Sequence, residues 1–177
     1  MSSDERLENA RLLYERALFG GDASALDTAD RELNAVEADL SLARGRILHA
    51  RFFETQKDDP DELRLFHHAA DLYQSLGDVR GEAEALFWIG IYHQAVRNDD
   101  TTAVPALERS LTLAKAANAD LTTSYALRHL GIAAHKTGDL KTARTHLEES
   151  TRLRRRLNFL PGTAANLVGL AYILKGN

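Results

Sequence analysis

"YALRHLGIAAHKTGDLKTARTHLEES" (residues 125–150) repeats, with substitutions, the order of small, charged and apolar residues in "EALFWIGIYHQAVRNDDTTAVPALERS" (residues 84–110). Four residues recur at an interval of 40: Ala103, Leu107, Glu108 and Ser110 return as Ala143, Leu147, Glu148 and Ser150. A fixed period of this size predicts a stack of similar supersecondary units, each too small to bury its apolar face alone.

The composition predicts an all-α fold. Only three prolines occur, good helix formers dominate, and no stretch alternates polar and apolar residues as a strand would. Gly-Asp and Asn-Asp turns mark the helix ends. We expect about nine helices in a single domain, 1–177. Short connections pair them into four hairpins, at about 4–36, 38–76, 80–117 and 121–157, followed by a terminal helix at 162–175. The first hairpin would consist of helices 4–19 and 23–36, and the second of helices 38–56 and 61–76.

The small residues Gly90, Gly131 and Gly169 stand at corresponding places in three of these helices. With "ALFWIG", "ALRHLG", "TGD" at 137–139 and the recurring Ala and Leu, the pattern resembles the tetratricopeptide repeat family in a long-helix variant with a period of about 40 residues. The resemblance extends from about residue 62 to 175 and implies a right-handed α-solenoid.

The register of the second hairpin stays open in the sequence. Gly45 has the right size for the small residue of a close helix contact. The apolar spacing of Leu40, Ala43 and Ile47 instead places Arg44 at that point. If Gly45 is correct, Arg46 and His49 join the polar stripe described next.

The resemblance implies a concave groove that receives a peptide partner. Its lining would be Glu84, Phe87, Ile91, Gln94, Tyr125, Arg128, Ile132, His135, Asn166 and Leu170. Arg128 could bind a carboxylate with two hydrogen bonds, and the aromatic rings offer rigid contact area. A neighbouring stripe, which includes Ala165, Val168 and Tyr172 in the last helix, is expected to be core, whereas Ile173 would point toward the groove.

Two other interpretations of this stripe remain. It could be an ordinary solvated helix face. It could also serve a small-molecule sensor or an enzyme, with His49, Glu84, Arg128 and His135 as candidate acid and base groups. The chain lacks the local motifs of nucleophilic, phosphate or dinucleotide chemistry, so we expect no catalysis and no cofactor. Seven histidines form no metal-binding spacing, and we expect no metal.

Charge and hydropathy limit which partners and which cellular location we expect. Lys and Arg number 22 against 26 Asp and Glu, with both signs mixed along the chain, which argues against nucleic-acid and polybasic membrane partners. Cysteine is absent, no secretory signal opens the chain, and the apolar run at 167–174 is too short to cross a membrane. We therefore expect a cytoplasmic protein. Its composition resembles that of repeat modules in bacterial regulators, which would act as interaction scaffolds.

The last predicted helix carries an apolar third face formed by Leu167, Ala171 and Leu174. A terminal helix of a solenoid normally presents a polar outer face. We expect this face to form a two-fold homodimer, with a different partner or further chain as the alternative. The basic run before it, "RLRRRLN" at 152–158, predicts a solvated face of Arg152, Arg155 and Arg156, with Leu153 and Leu157 on the core side.

Overall fold

The computed structural model describes residues 2–175 and the side chains of residues 2–174. Over this range the chain is helical, with no strand, as the sequence predicts. The helices are α1 (Ser3–Gly20), α2 (Ser24–Thr55), α3 (Pro60–Leu76), α4 (Val79–Ile91), which continues as a π-helical turn (Tyr92–Val96), α5 (Asp100–Ala116), α6 (Asp120–Lys136), α7 (Leu140–Arg156) and α8 (Leu160–Lys175). They form two compact units, Met1–Asp78 and Val79–Asn177. None of the described helices is both long and apolar enough to cross a membrane.

The first unit is built around one long helix. The predicted break between 36 and 38 is wrong, because α2 runs without interruption from Ser24 to Thr55. No glycine, proline or asparagine lies between residues 35 and 44 to stop the helix, so its hydrogen bonds simply continue. The first half of α2 packs on α1, where Asn9 Nδ2 donates to Glu32 Oε1 at 3.1 Å. The second half packs on α3.

Gly45 is the small residue at the contact between α2 and α3, which resolves the register that the sequence left open. A Cβ atom on Gly45 would lie 2.5 Å from Cε1 of Phe66 and would overlap its ring. The neighbouring Arg44 is exposed to solvent. The missing side chain at Gly45 thus lets the Phe66 ring approach the backbone of α2 closely.

The second unit is strictly periodic. Each connection between α4 and α8 has three residues, and the central one has a left-handed backbone with φ between 50° and 83°: Asn98, Asn118, Gly138 and Asn158. These four residues lie 20 positions apart. Asparagine and glycine tolerate this conformation, which ends one helix and turns the chain into the next. A helix and its turn therefore occupy 20 residues, and a hairpin occupies the 40 residues of the sequence repeat.

Both hairpins of this unit have a glycine at their closest approach. A Cβ on Gly90 would lie 2.7 Å from Leu107 Cγ, and a Cβ on Gly131 would lie 3.2 Å from Leu147 Cγ. The two leucines belong to the recurring set found in the sequence. The same contact is thus made twice, one repeat apart.

A buried serine hydrogen bond also recurs. Ser110 Oγ of α5 donates to the carbonyl of Ala83 in α4 at 2.7 Å. Forty residues later, Ser150 Oγ of α7 donates to the carbonyl of Ser124 in α6 at 2.6 Å. Each bond ties the start of the first helix in a hairpin to the middle of the second, and both serines are fully buried.

Candidate functional site

The predicted groove residues differ in burial. Four are buried: Phe87, Ile91, Gln94 and Asn166. Six are half-buried: Glu84, Tyr125, Arg128, Ile132, His135 and Leu170. Phe87 and Ile91 pack with Ala126 and Leu130, because α6 covers the face of α4 that carries them. The four buried groove residues therefore lie inside the second unit. Only the six half-buried residues have substantial side-chain surface that is open to solvent.

In α8 the expected inner and outer stripes are exchanged. Val168 and Tyr172, predicted to be core, are 57% and 59% exposed, whereas Asn166 and Ile173 are buried. α8 turns Asn166 toward α7, where its Nδ2 donates to Ser150 Oγ at 2.8 Å, and Ile173 packs with Ala143 and Leu147 of α7. A repeat pattern read from Gly169 alone does not show which side of this helix meets α7.

Two arginines converge on Asn166 in the interior between α6, α7 and α8. Arg128 Nη1 and Arg154 Nη1 each donate to Asn166 Oδ1, both at 3.0 Å. Arg154 also donates to the carbonyl of Gly162 at 2.8 Å and lies 3.4 Å from Ser124 Oγ. We call Ser124, Arg128, Ser150, Arg154 and Asn166 the arginine cluster.

Aromatic rings complete the surroundings of Arg154. Its guanidinium carbon lies 5.2 Å from the ring centre of Tyr125 and 5.4 Å from that of Phe159. Tyr125 in turn stacks on Phe87, with ring centres 5.4 Å apart and planes 22° apart. Cation–π contacts of this kind stabilise a guanidinium that has lost its water.

The arginine cluster has no negative charge of its own. Within the described part of the chain, neither Arg128 nor Arg154 forms an ion pair or a hydrogen bond with a carboxylate. Burial and the neighbouring Arg128 lower the pKa of Arg154 to about 10, against a smaller opposing effect of Tyr125, and burial lowers the pKa of Arg128. Both groups nevertheless stay cationic at neutral pH, because even this shifted pKa lies well above 7. Two uncompensated positive charges therefore lie close together.

A second cluster of polar side chains, centred on Gln94, lies between α4, α5 and α6, at the π-helical turn. Arg97 N donates to the carbonyl of Tyr92 at 3.2 Å, which widens the helix around Gln94. Gln94 Oε1 lies 2.6 Å from His129 Nδ1, and its Nε2 donates to Asp100 Oδ1 at 2.8 Å. Burial raises the pKa of Asp100, but the opposing hydrogen bonds and charge from Lys136 and the bond from Gln94 keep the pKa below its ordinary value. In this second cluster the negative charge of Asp100 is therefore balanced by Lys136.

The surface above these groups is a stripe on α6. Tyr125, Arg128, Ile132 and His135 lie three or four residues apart, so they share one face of the helix over three turns. All four are half-buried. We call this row the α6 stripe. It contains four of the six half-buried residues of the predicted groove, the others being Glu84 and Leu170. Arg128 joins it to the charged interior.

The sequence prediction missed Arg154, which is 2% exposed and belongs to the basic run assigned to solvent. Leu157, assigned to the core side, is 41% exposed. A signal for Arg154 was present: it continues the buried series Ala143, Leu147 and Ser150 at spacings of four, three and four residues. Such a position on a helix faces the core whatever residue occupies it.

The candidate acid and base groups are divided between the two units. His49 is buried in the first unit, where its Nδ1 lies 2.8 Å from Glu62 Oε1, whereas Glu84, Arg128 and His135 belong to the second unit. Leu167, Ala171 and Leu174 are exposed on α8. Among the described residues, no three histidine, aspartate or glutamate side chains converge as metal ligands would.

In comparisons with known proteins, no family model matches the chain and no curated protein matches it.

Proposed function

We propose that the second unit is a tetratricopeptide-like interaction module, with its hairpins stacked in the right-handed sense of that family, and that the α6 stripe binds an acidic segment of a protein partner. The observation that carries this proposal is the pair of guanidinium groups on Asn166 without a carboxylate. The repeated glycine contacts, serine bonds and 20-residue turns support the resemblance to the family.

Arg128 supplies the recognition chemistry. Its Nη1 is held by Asn166, and no other acceptor in the described chain binds its remaining N–H donors. A carboxylate approaching from solvent would meet a fixed donor in a setting that Arg154 makes more positive. Charge-assisted hydrogen bonds of this kind are about twice as strong as neutral ones.

The rest of the α6 stripe supplies contact area at low entropic cost. The Tyr125 ring is already fixed by its stacking on Phe87 and by its edge contact with Phe159 at 5.9 Å. Ile132 adds an aliphatic surface one turn beyond Arg128. Because these side chains are ordered before binding, little of their conformational freedom remains to be lost.

Matched peptides test this function. Three fluorescein-labelled peptides share one apolar pattern and differ only in carrying Glu, Gln or Lys at the polar positions; their binding to the full chain is followed by fluorescence anisotropy. We expect the Glu peptide to bind best and Arg128→Gln to weaken its binding about tenfold, which is the loss of one good charged contact. The control Arg144→Gln removes an exposed arginine paired with Glu148 and should change nothing. Equal affinities for the Glu and Gln peptides would contradict the proposal.

A further inference from the structure

A row of large aliphatic side chains follows the outer side of α2 at intervals of seven residues. Leu26, Leu33, Leu40 and Ile47 are 46%, 43%, 48% and 54% exposed. A seven-residue repeat keeps a row on one side of a helix, and it is the repeat by which two long helices pack together. We call these four residues the α2 row. Ordinary exposed leucines are scattered, whereas these four are regular over 22 residues of one helix.

A charged side chain follows each member of the α2 row by four residues. The order along the helix is acidic, acidic, basic, basic: Asp30, Glu37, Arg44 and Arg51, all exposed. Glu37 Oε1 lies 2.7 Å from His68 Nε2 on α3. In the described chain the side chains of the other three make no ion pair or hydrogen bond. The α2 row is therefore flanked by a negative half and a positive half, and three of the four charged side chains are not paired within the described chain.

This order of charges fits a second copy of the same helix in the opposite direction. We propose that α2 pairs with α2 of another copy in an antiparallel, two-fold homodimer. With the axis near Leu40, Leu33 of one copy faces Ile47 of the other. Asp30 and Glu37 of one copy then face Arg51 and Arg44 of the other. A parallel pair would instead place like charges side by side, which is unfavourable.

Small residues allow a close approach in the second half of the row. Ala43 and Ala50 each follow a member of the row by three residues and are exposed. In a two-helix seam these positions alternate with the large ones, and alanine there shortens the distance between helix axes. A two-fold contact is also closed, because one self-complementary surface satisfies both copies.

The apolar face of α8, where the sequence predicts a dimer, lacks this self-complementarity. The adjacent depression between α7 and α8, about 430 Å³, is lined by Leu167, Leu170, Thr151, one acidic residue, Glu148, which pairs with Arg144, and three arginines, Arg152, Arg155 and Arg156. A two-fold axis through that face would bring positive charges of both copies together. The dimer through α8 stays a prediction, and the following variants separate the two locations.

Light scattering after size exclusion, on the full chain, gives the first test. We expect a molar mass twice the 19.6 kDa of the chain. Leu33→Glu with Leu40→Glu should give a monomer of unchanged helicity by circular dichroism, whereas the matched Leu167→Glu with Leu174→Glu should remain dimeric. A monomeric native chain, or an α2 double variant that remains dimeric whatever the α8 variant does, would overturn the proposal.

Charge exchange gives a second test that leaves the apolar residues intact. One variant carries Arg44→Glu with Arg51→Glu, so its row is acidic throughout. The other carries Asp30→Lys with Glu37→Lys, so its row is basic throughout. We expect each variant alone to dimerise at least about tenfold more weakly than the native chain, and their mixture to recover the native affinity. A mixture no stronger than its components would overturn the role of the charges.

The direction of pairing is tested by disulfide formation, since the chain contains no cysteine. Leu40→Cys should cross-link to itself under mild oxidation. Leu33→Cys should not cross-link alone but should do so when mixed with Ile47→Cys. Self-cross-linking of Leu33→Cys would show a parallel pair, and failure of Leu40→Cys to cross-link would place the axis elsewhere; either result contradicts the antiparallel dimer.

Discussion

Among the described residues each unit has one fully buried charged side chain, Glu62 in the first and Arg154 in the second, and the two are compensated differently. In the first unit Glu62 has no exposed surface and shares a hydrogen bond with His49. In the second unit Arg154 is 2% exposed and meets neutral oxygens, two aromatic rings and a second arginine. In the first arrangement the buried carboxyl has a polar side-chain partner inside the unit. The second is left with excess positive charge, and this is where an external anion would add most.

The largest effect should follow from breaking the compensated pair. Within the described residues Glu62 Oε2 has no hydrogen-bond partner, so the carboxyl depends on His49. We expect His49→Leu to lower the free energy of unfolding by about 4 kcal/mol, because it leaves a buried carboxyl without a partner. Urea unfolding measures this loss. The control His68→Leu removes an exposed partner of Glu37 and should cost about 0.5 kcal/mol. Similar losses for both variants would show that Glu62 is not held as described.

The uncompensated arginine should be nearly as sensitive. Arg154→Met keeps most of the side-chain volume but leaves the Gly162 carbonyl without its donor and removes the cation–π contacts. We expect a loss of about 3 kcal/mol in the same unfolding experiment. Arg155→Met, on the exposed neighbour, should change stability by less than about 0.5 kcal/mol. A stabilising Arg154→Met would mean that desolvation of the guanidinium outweighs its contacts.

Glycine contacts test what the units have in common. Gly45→Ala in the first unit and Gly90→Ala in the second would each place a methyl group less than 3 Å from a neighbouring side chain. We expect each to cost about 2 kcal/mol through overpacking. Gly20→Ala has its nearest neighbour, Arg16 Cγ, at 3.8 Å and should be neutral or stabilising by a few tenths of a kcal/mol. If Gly45→Ala were also neutral, the close contact between α2 and α3 would be excluded.

The smallest effect concerns pH and belongs to the second unit. Burial lowers the pKa of half-buried His146, so the folded state binds its proton less readily than the unfolded chain does. Stability should therefore decrease as the pH falls below about 6.5, the ordinary histidine pKa, and level off below the folded pKa. Comparing thermal midpoints between pH 7.5 and 5 for the native chain and His146→Gln measures this term. The variant should lose less stability on acidification, and an equal or larger loss would contradict the burial of His146.

The ends of the helices in the second unit could be predicted because asparagine, glycine and aspartate mark them. Asp139 illustrates this: its side chain accepts from Thr142 N at 3.0 Å and begins α7. The prediction failed in α2, because neither glycine nor asparagine lies between residues 35 and 44, where the break was expected, and the helix continues. Helix endings are local, so local residue types determine them.

The candidate site was predictable only in part, because burial depends on which helix covers which face. Arg128 and Tyr125 were identified from the repeat register and lie on the α6 stripe. Asn166 and Gln94 are polar, as a groove residue should be, but both are buried and form hydrogen bonds with side chains of the same unit. Arg154 was missed, since charge outweighed its core spacing in the prediction. The spacing of Arg154 indicates a core-facing position, but the hydrogen-bond partners that make its burial possible lie on other helices and are not visible in the local sequence.

The most direct test of the central claim, that the arginine cluster recognises an acidic partner, is a nuclear magnetic resonance titration of the arginine side chains. The Nε–Hε signals of the full chain are followed while the Glu peptide is added, with assignments from Arg128→Gln, Arg152→Gln and Arg154→Met. We predict that the Arg128 signal shifts most, that Arg154 follows, and that exposed Arg152 moves little. Shifts confined to Arg152 and the other exposed arginines, or an unchanged Arg128 signal at saturating peptide, would contradict the account.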